Sequence, residues 1–216
     1  MSGCTLSLLF VRLHTKYAKL TFYSIKIFKG RLKKEKIMNA QAVLDFWFDQ
    51  ANKACWFAKS DDFDAEIRRR FMGVWQQAAR GELSAWRDTL RGRLAEIIVL
   101  DQFSRNVWRD RANAFAQDNM ALVLAQEAVQ HAGFADLDQA ERNFMLMPFM
   151  HSESQAVHKQ ALPLFERYAD AVTLDFERQH KAIIDRFGRY PHRNEMLGRD
   201  STAEEKAFLT QPGSSF

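Results

Sequence analysis

From residue 38 onward the apolar residues recur at helical spacing, and almost nothing recurs at the spacing of a strand. In DDFDAEIRRRFMGVWQQAARG, Phe63, Ile67, Phe71, Val74, Trp75 and Ala78 form one stripe, the pattern of a helix with one face turned to a core. Ser60 to Asp64 supply capping oxygens and acidic charge at its start, and Gly81 supplies a left-handed stop. ANAFAQDNMALVLAQEAVQHAG repeats the pattern through Phe115, Met120, Leu122, Val123 and Ala125, ending at Gly133. GRLAEIIVLDQF, QAERNFMLM, SESQAVHKQALPLFERYADAV, TLDFERQHKAIIDRFG and TAEEKAFL add further helices. The four prolines fall mostly at junctions, and Pro163 is expected to kink or split its helix. Hairpin dipeptides and sustained alternation are missing. The fold class is therefore all-α, and an irregular helical array and a bundle both fit. No repeat of 34 residues or similar length is clear enough to claim.

Charge separates the chain into two parts. Residues 1–37 carry nine Lys/Arg against one acid, Glu35. Of the 31 basic and 27 acidic residues, 22 and 26 remain for 38–216, a net charge of −4. That remainder gives no electrostatic support for nucleic-acid binding. The break at Ile37/Met38 reads as a natural start at Met38, with 1–37 as upstream read-through. The alternative is a basic, aromatic-rich segment lying on an anionic membrane or on RNA. The apolar run Thr5–Val11 is too short to span a bilayer. The expected organisation is a basic extension, 1–37, and one helical domain, 38–216. With only Cys4 and Cys55, no disulfide framework or paired-cysteine metal site can be built, which suits a cytoplasmic protein. Cys55 reads as a small buried residue.

The informative residues are polar groups on apolar faces, because burial costs energy unless they are paired. Asp101 shares a face with Leu94, Ile97 and Ile98, so it points to the core; Arg105, four residues on, is its natural partner. Gln102 and Asn106 have the same spacing. Either Asp101 and Arg105 form a buried ion pair that fixes helix packing, or Asp101 orients Arg105 and Arg109 towards a ligand. His180 lies on the face of Phe176, Ile183, Ile184 and Phe187, as a satisfied core histidine or a ligand. In MPFMHSESQAVHKQ, Ser152 and Gln155 have capping-box spacing, whereas His151 and Glu153 would diverge on a helix. No metal site is expected from them, and no cofactor fingerprint is present. After Gly188 the chain packs Arg189, His192, Arg193 and Asn194 around Pro191, with Arg199 before the next helix start. These residues either cradle a carboxylate or phosphate, or tie helix ends and acidic neighbours together.

VLDFWF, LDQFSRNVWR, MPFMHSE and RFGRYPHRNEMLGRDSTAEEKAFL resemble the bacterial family catalogued as domain of unknown function 924, from about Val43 to Leu209. The resemblance implies a TPR-like α-superhelix and supplies no activity. Its polar signature falls here on Asp101, Gln102, Arg105, Asn106, His151, Glu153, Arg189, His192, Arg193, Asn194 and Arg199. Ser104 stands where the family usually has proline, which leaves the local helix ending open. The leading expectation is convergence of these motifs on a pocket for a small anionic ligand, with Arg105, Arg193 and Arg199 holding it. Asp101 and Glu153 would then position the arginines, and His151 and His192 would bind or transfer protons. The alternatives are a scaffold for a protein or peptide partner, favoured by exposed Trp47, Trp56, Trp86 or Trp108, and a hydrolase using the histidine–carboxylate set His151, Glu153 and His192.

Overall fold

A computed structural model describes residues 39–214, which lie within one compact unit, Asn39–Phe216. The readings made above for Cys4, Thr5–Val11 and the basic residues up to Lys36 lie outside the described residues. The described part is helical, and no strand is found among its residues. Nine α-helices run as α1 (Ala40–Trp47), α2 (Asp61–Ala79), α3 (Leu90–Leu100), α4 (Gln102–Val107), α5 (Asp118–Ala128), α6 (Gln139–Met150), α7 (Gln155–Tyr168), α8 (Ala171–Phe187) and α9 (Ala203–Leu209). None of them is long and apolar enough to cross a membrane.

Local chemistry sets most of the helix starts. Asn39, Ser60, Thr89, Ser154, Asp170 and Thr202 each accept a hydrogen bond from a first-turn amide. Asp138 with Glu141, and Thr202 with Glu205, close full capping boxes. α8 ends where Gly188 takes φ +68°, a conformation that a Cβ would penalise. The box expected from Ser152 and Gln155 does not form. Ser154 is the cap, because His151 already closes α6 and residues 152–154 lie outside either helix, with Ser154 extended. α5 starts at Asp118 rather than near Ala112 and ends at Ala128, five residues before Gly133; of the expected stripe, Leu122 and Ala125 are buried and Val123 is exposed. Pro148 lies inside α6 instead of at a junction, and Pro163 lies inside α7 as its segment implied. Pro163 does not split α7: the carbonyl its missing N–H would have paired belongs to exposed Lys159, where water can serve it.

α3 is buried nearly all round, as Leu94 to Leu100 show, the pattern of a helix at the centre of its fold. It packs on α1, α2, α5 and α6. Aromatic rings fill the side facing α1, α2 and α4: Phe46, Phe71 and Phe103 lie with centroids 4.9–6.2 Å apart. Trp47 meets Phe144 edge-on at 5.4 Å. Each fully buried side chain of this size contributes about 2–3 kcal/mol. The expected stripe on α2 is buried at every position but Trp75, which is half-buried and donates to Ser104 Oγ at 2.8 Å. Ser104 in turn donates to the Leu100 carbonyl, so α4 continues past it after the bend at Asp101. Cys55 is half-buried, because its turn, Lys53–Cys55, lies at the surface. On α8 the buried face runs through Thr173, Glu177, His180, Ile183 and Ile184, whereas Phe176 is 42% exposed.

Candidate functional site

The bend between α3 and α4 puts a carboxylate where a helix interior would have left it unreachable. Asp101 is wholly buried. It accepts from His151 Nδ1 at 2.7 Å and from Gln102 Nε2 at 2.7 Å, with Arg105 Nη2 3.3 Å away. Burial alone would raise its carboxyl; His151 and Arg105 outweigh that and pull it down to about 2. An ionised carboxylate only accepts, so the His151 ring donates through Nδ1 and keeps Nε2 for something else. Gln102 also reaches Met147 Sδ at 3.4 Å.

Arg105 turns its far edge to Asp118 at the first turn of α5, at 2.7 and 3.0 Å, and also donates to the Ala114 carbonyl. Arg193 donates to the same carboxylate at 3.1 Å. Its guanidinium lies between the rings of Phe115 and Tyr190, 4.6 and 4.5 Å from their centroids, a cation–π sandwich. Burial and then Arg105 lower the Arg193 guanidinium; Asp118 opposes them. Arg193 is 6% exposed, and its Nε has no hydrogen-bond partner.

The 188–200 segment is held down by further pairs. Glu153 accepts from Arg199 at 2.6 and 2.9 Å and from the Tyr190 amide at 2.8 Å. Burial would raise the Glu153 carboxyl, but Arg199 and that amide bring it below its ordinary value. Arg189 grips Glu205 at 2.7 and 2.8 Å, and Asn194 donates to Ser201 Oγ at 3.0 Å. His192 keeps its buried Nδ1 unpartnered, and burial followed by Arg193 lowers the ring to about 4. His180 bonds the Phe176 carbonyl through Nδ1 at 2.8 Å, with its ring centroid 6.4 Å from His151. Burial and then His151 lower it to about 3.

The segments containing Asp101, His151 and Arg193 therefore meet, although up to 92 residues separate them along the chain. Not every candidate joins them. Arg109 reaches Asp64 on α2, at 2.5 and 2.8 Å, and Asn106 donates to the same carboxylate at 2.8 Å. This overturns the expected Gln102–Asn106 pair: the bend at Asp101 turns the two amides towards different partners. Arg189 is likewise spent on Glu205.

Three participants carried no clear sequence signal. Asp118 looked like an ordinary acidic first-turn residue. His158 and Glu177, both fully buried, pair at 2.8 Å, and His158 Nε2 lies 2.9 Å from the Ser152 carbonyl and 3.2 Å from Tyr190 Oη. Burial raises the Glu177 carboxyl against the pull of His158. The available hints were the seven-residue spacing of His151 and His158 and the i, i+4 and i+7 spacing of Thr173, Glu177 and His180. Among the described residues no group of three or more His, Cys, Asp or Glu side chains is placed to hold a metal ion.

The model of a bacterial protein family of unknown function, DUF924, matches residues 43–213. The solved structure of ATU0120, a protein of unknown function from Agrobacterium tumefaciens, superposes with a TM-score of 0.74 at 35% identity, covering 79% of this chain and 96% of that one. No curated protein matches. The family pattern spans the helices and every polar motif of the centre, and the chain belongs to DUF924.

Proposed function

We propose that this chain binds a small anionic molecule of the carboxylate or phosphate class at the centre formed by Arg105, Asp118, His151, Glu153, Arg193 and Arg199. The observation that carries the reading is Arg193. A guanidinium has five donors, yet this one, almost wholly buried, meets a single carboxylate and leaves Nε unpartnered. Burying donors without partners costs about 1–3 kcal/mol each, so the arrangement is better suited to a further acceptor than to stability alone. The rim supports access: His151, Arg105, Arg199 and Glu153 keep 16–26% of their side-chain surface exposed. The chain would do this in the cytoplasm, in keeping with its sparse cysteines.

A second reading, a TPR-like scaffold with a peptide-binding surface, draws on Phe57, 75% exposed beside Trp56. The tryptophans it would need weaken it, since Trp47 is fully buried and Trp56, Trp86 and Trp108 are half-buried. A hydrolytic reading draws on His151 and Asp101 being within hydrogen-bond reach.

The test is a thermal-shift screen of the full chain against sulfate, phosphate, short carboxylates and acidic peptides, with Arg193→Lys alongside. A ligand at about 100 times its Kd adds about 2.7 kcal/mol, or roughly 5–10 °C here. Lysine keeps the charge but loses the planar donors, so the shift should shrink in a variant that still folds. Shifts with peptides alone would favour the scaffold.

A further inference from the structure

We infer that an anion entering this centre brings a proton with it, taken up by His151. The inference rests on the binding reading above and adds what makes that binding electrostatically affordable. Three guanidinia, Arg105, Arg193 and Arg199, already face three carboxylates, Asp101, Asp118 and Glu153. With His151 neutral, the centre is therefore balanced before any ligand arrives. Adding a negative charge to a balanced, largely buried site is strongly unfavourable unless a positive charge joins it.

The groups packed around His151 leave few sources for that charge. From the α3–α4 bend it faces Asp101, with Arg105 behind it. From α8 it faces His180, which burial holds neutral, and beyond it Glu177, whose pairing with His158 nets to zero whichever partner holds the proton. From the 188–194 segment come His192, also neutral, and Arg193, already matched by Asp118. His151 remains: its Nδ1 is fixed on a carboxylate, its Nε2 makes no hydrogen bond among the described residues, and it lies at the rim where solvent can deliver a proton. Asp101 is placed to stabilise the imidazolium that results, and the added proton lets Nε2 donate to the anion.

The test is calorimetric titration of the full chain with sodium sulfate and sodium acetate, neither of which takes up a proton near neutral pH. Runs at pH 8 in two buffers of different ionisation enthalpy count the protons exchanged. The expected result is an uptake approaching one proton per anion, with affinity falling up to about tenfold per pH unit as pH rises. His151→Gln keeps an N–H for Asp101 but cannot be protonated. After a melt confirms that it folds, it should bind more weakly in acid and with no pH dependence. Binding of either anion without proton uptake, or uptake that survives in His151→Gln, overturns this inference and leaves the binding reading standing. If neither anion binds at high millimolar concentration, the binding reading falls and this one with it.

Discussion

Removing the Asp118 carboxylate puts the electrostatics of the centre to the severest test. Asp118 accepts three charge-assisted hydrogen bonds, two from Arg105 and one from Arg193, and its side chain is 14% exposed. Asp118→Ala leaves the buried Arg193 guanidinium facing the half-buried Arg105, with Asp101 at 3.3 Å to offset Arg105. Breaking a buried pair from one side costs about 3–5 kcal/mol, because the surviving charge stays buried. The loss of an acidic residue from the first turn of α5 adds roughly 0.3–1 kcal/mol. At about 2–4 °C per kcal/mol for a domain of this size, the melting temperature should fall by roughly 7–24 °C. The assay is circular-dichroism melting in low-ionic-strength buffer, repeated with sulfate and with sodium chloride at matched ionic strength. Sulfate should recover part of the loss by standing in for the carboxylate, whereas chloride should recover less. A loss below about 1 kcal/mol, or equal recovery by both salts, would refute the view that buried, under-partnered guanidinia dominate this centre.

Arg109→Ala should destabilise by about 3 kcal/mol, since it strips both guanidinium bonds from buried Asp64; it should leave anion binding intact, and a parallel loss of sulfate affinity would place Arg109 in the centre after all. Acid should weaken the fold early. His180 and His192 are lowered to about 3 and about 4, so the stability they represent is complete above their unfolded value near 6.5 and drains as pH falls towards those figures. Asp101, lowered to about 2, acts in the same direction below pH 3.8. Urea denaturation stepped from pH 7 to 4.5 should show a slope approaching two protons, roughly 3 kcal/mol per pH unit, and a flat profile would contradict the burial of both rings. Gly92→Ala should fold poorly or not at all by the same urea assay, because its Cβ would stand 1.9 Å from the Trp86 carbonyl oxygen; an unperturbed midpoint would mean that this close approach is easily relieved.

Helix class, most caps and the inward aim of Asp101 could be read from spacing, because a helix repeats every 3.6 residues and local chemistry alone sets its ends. The Gly188 helix end and the Thr202–Glu205 box are both settled within four residues of chain. Partner choice is different. Asp101 and Arg105 satisfied the i, i+4 rule, yet Arg105 gives its best bonds to Asp118, thirteen residues on. Asn106 and Arg109 cross to Asp64 on another helix, and Arg193 reaches 75 residues back to Asp118. Such pairings carry no periodicity, so a linear pattern cannot rank one carboxylate against another. Thus the sequence by itself determined that these polar groups had to be buried somewhere with partners. Only the packing of α4, α5, α8 and the 188–200 segment decided which partners those were, because a buried charge takes the nearest opposite charge in space and not along the chain.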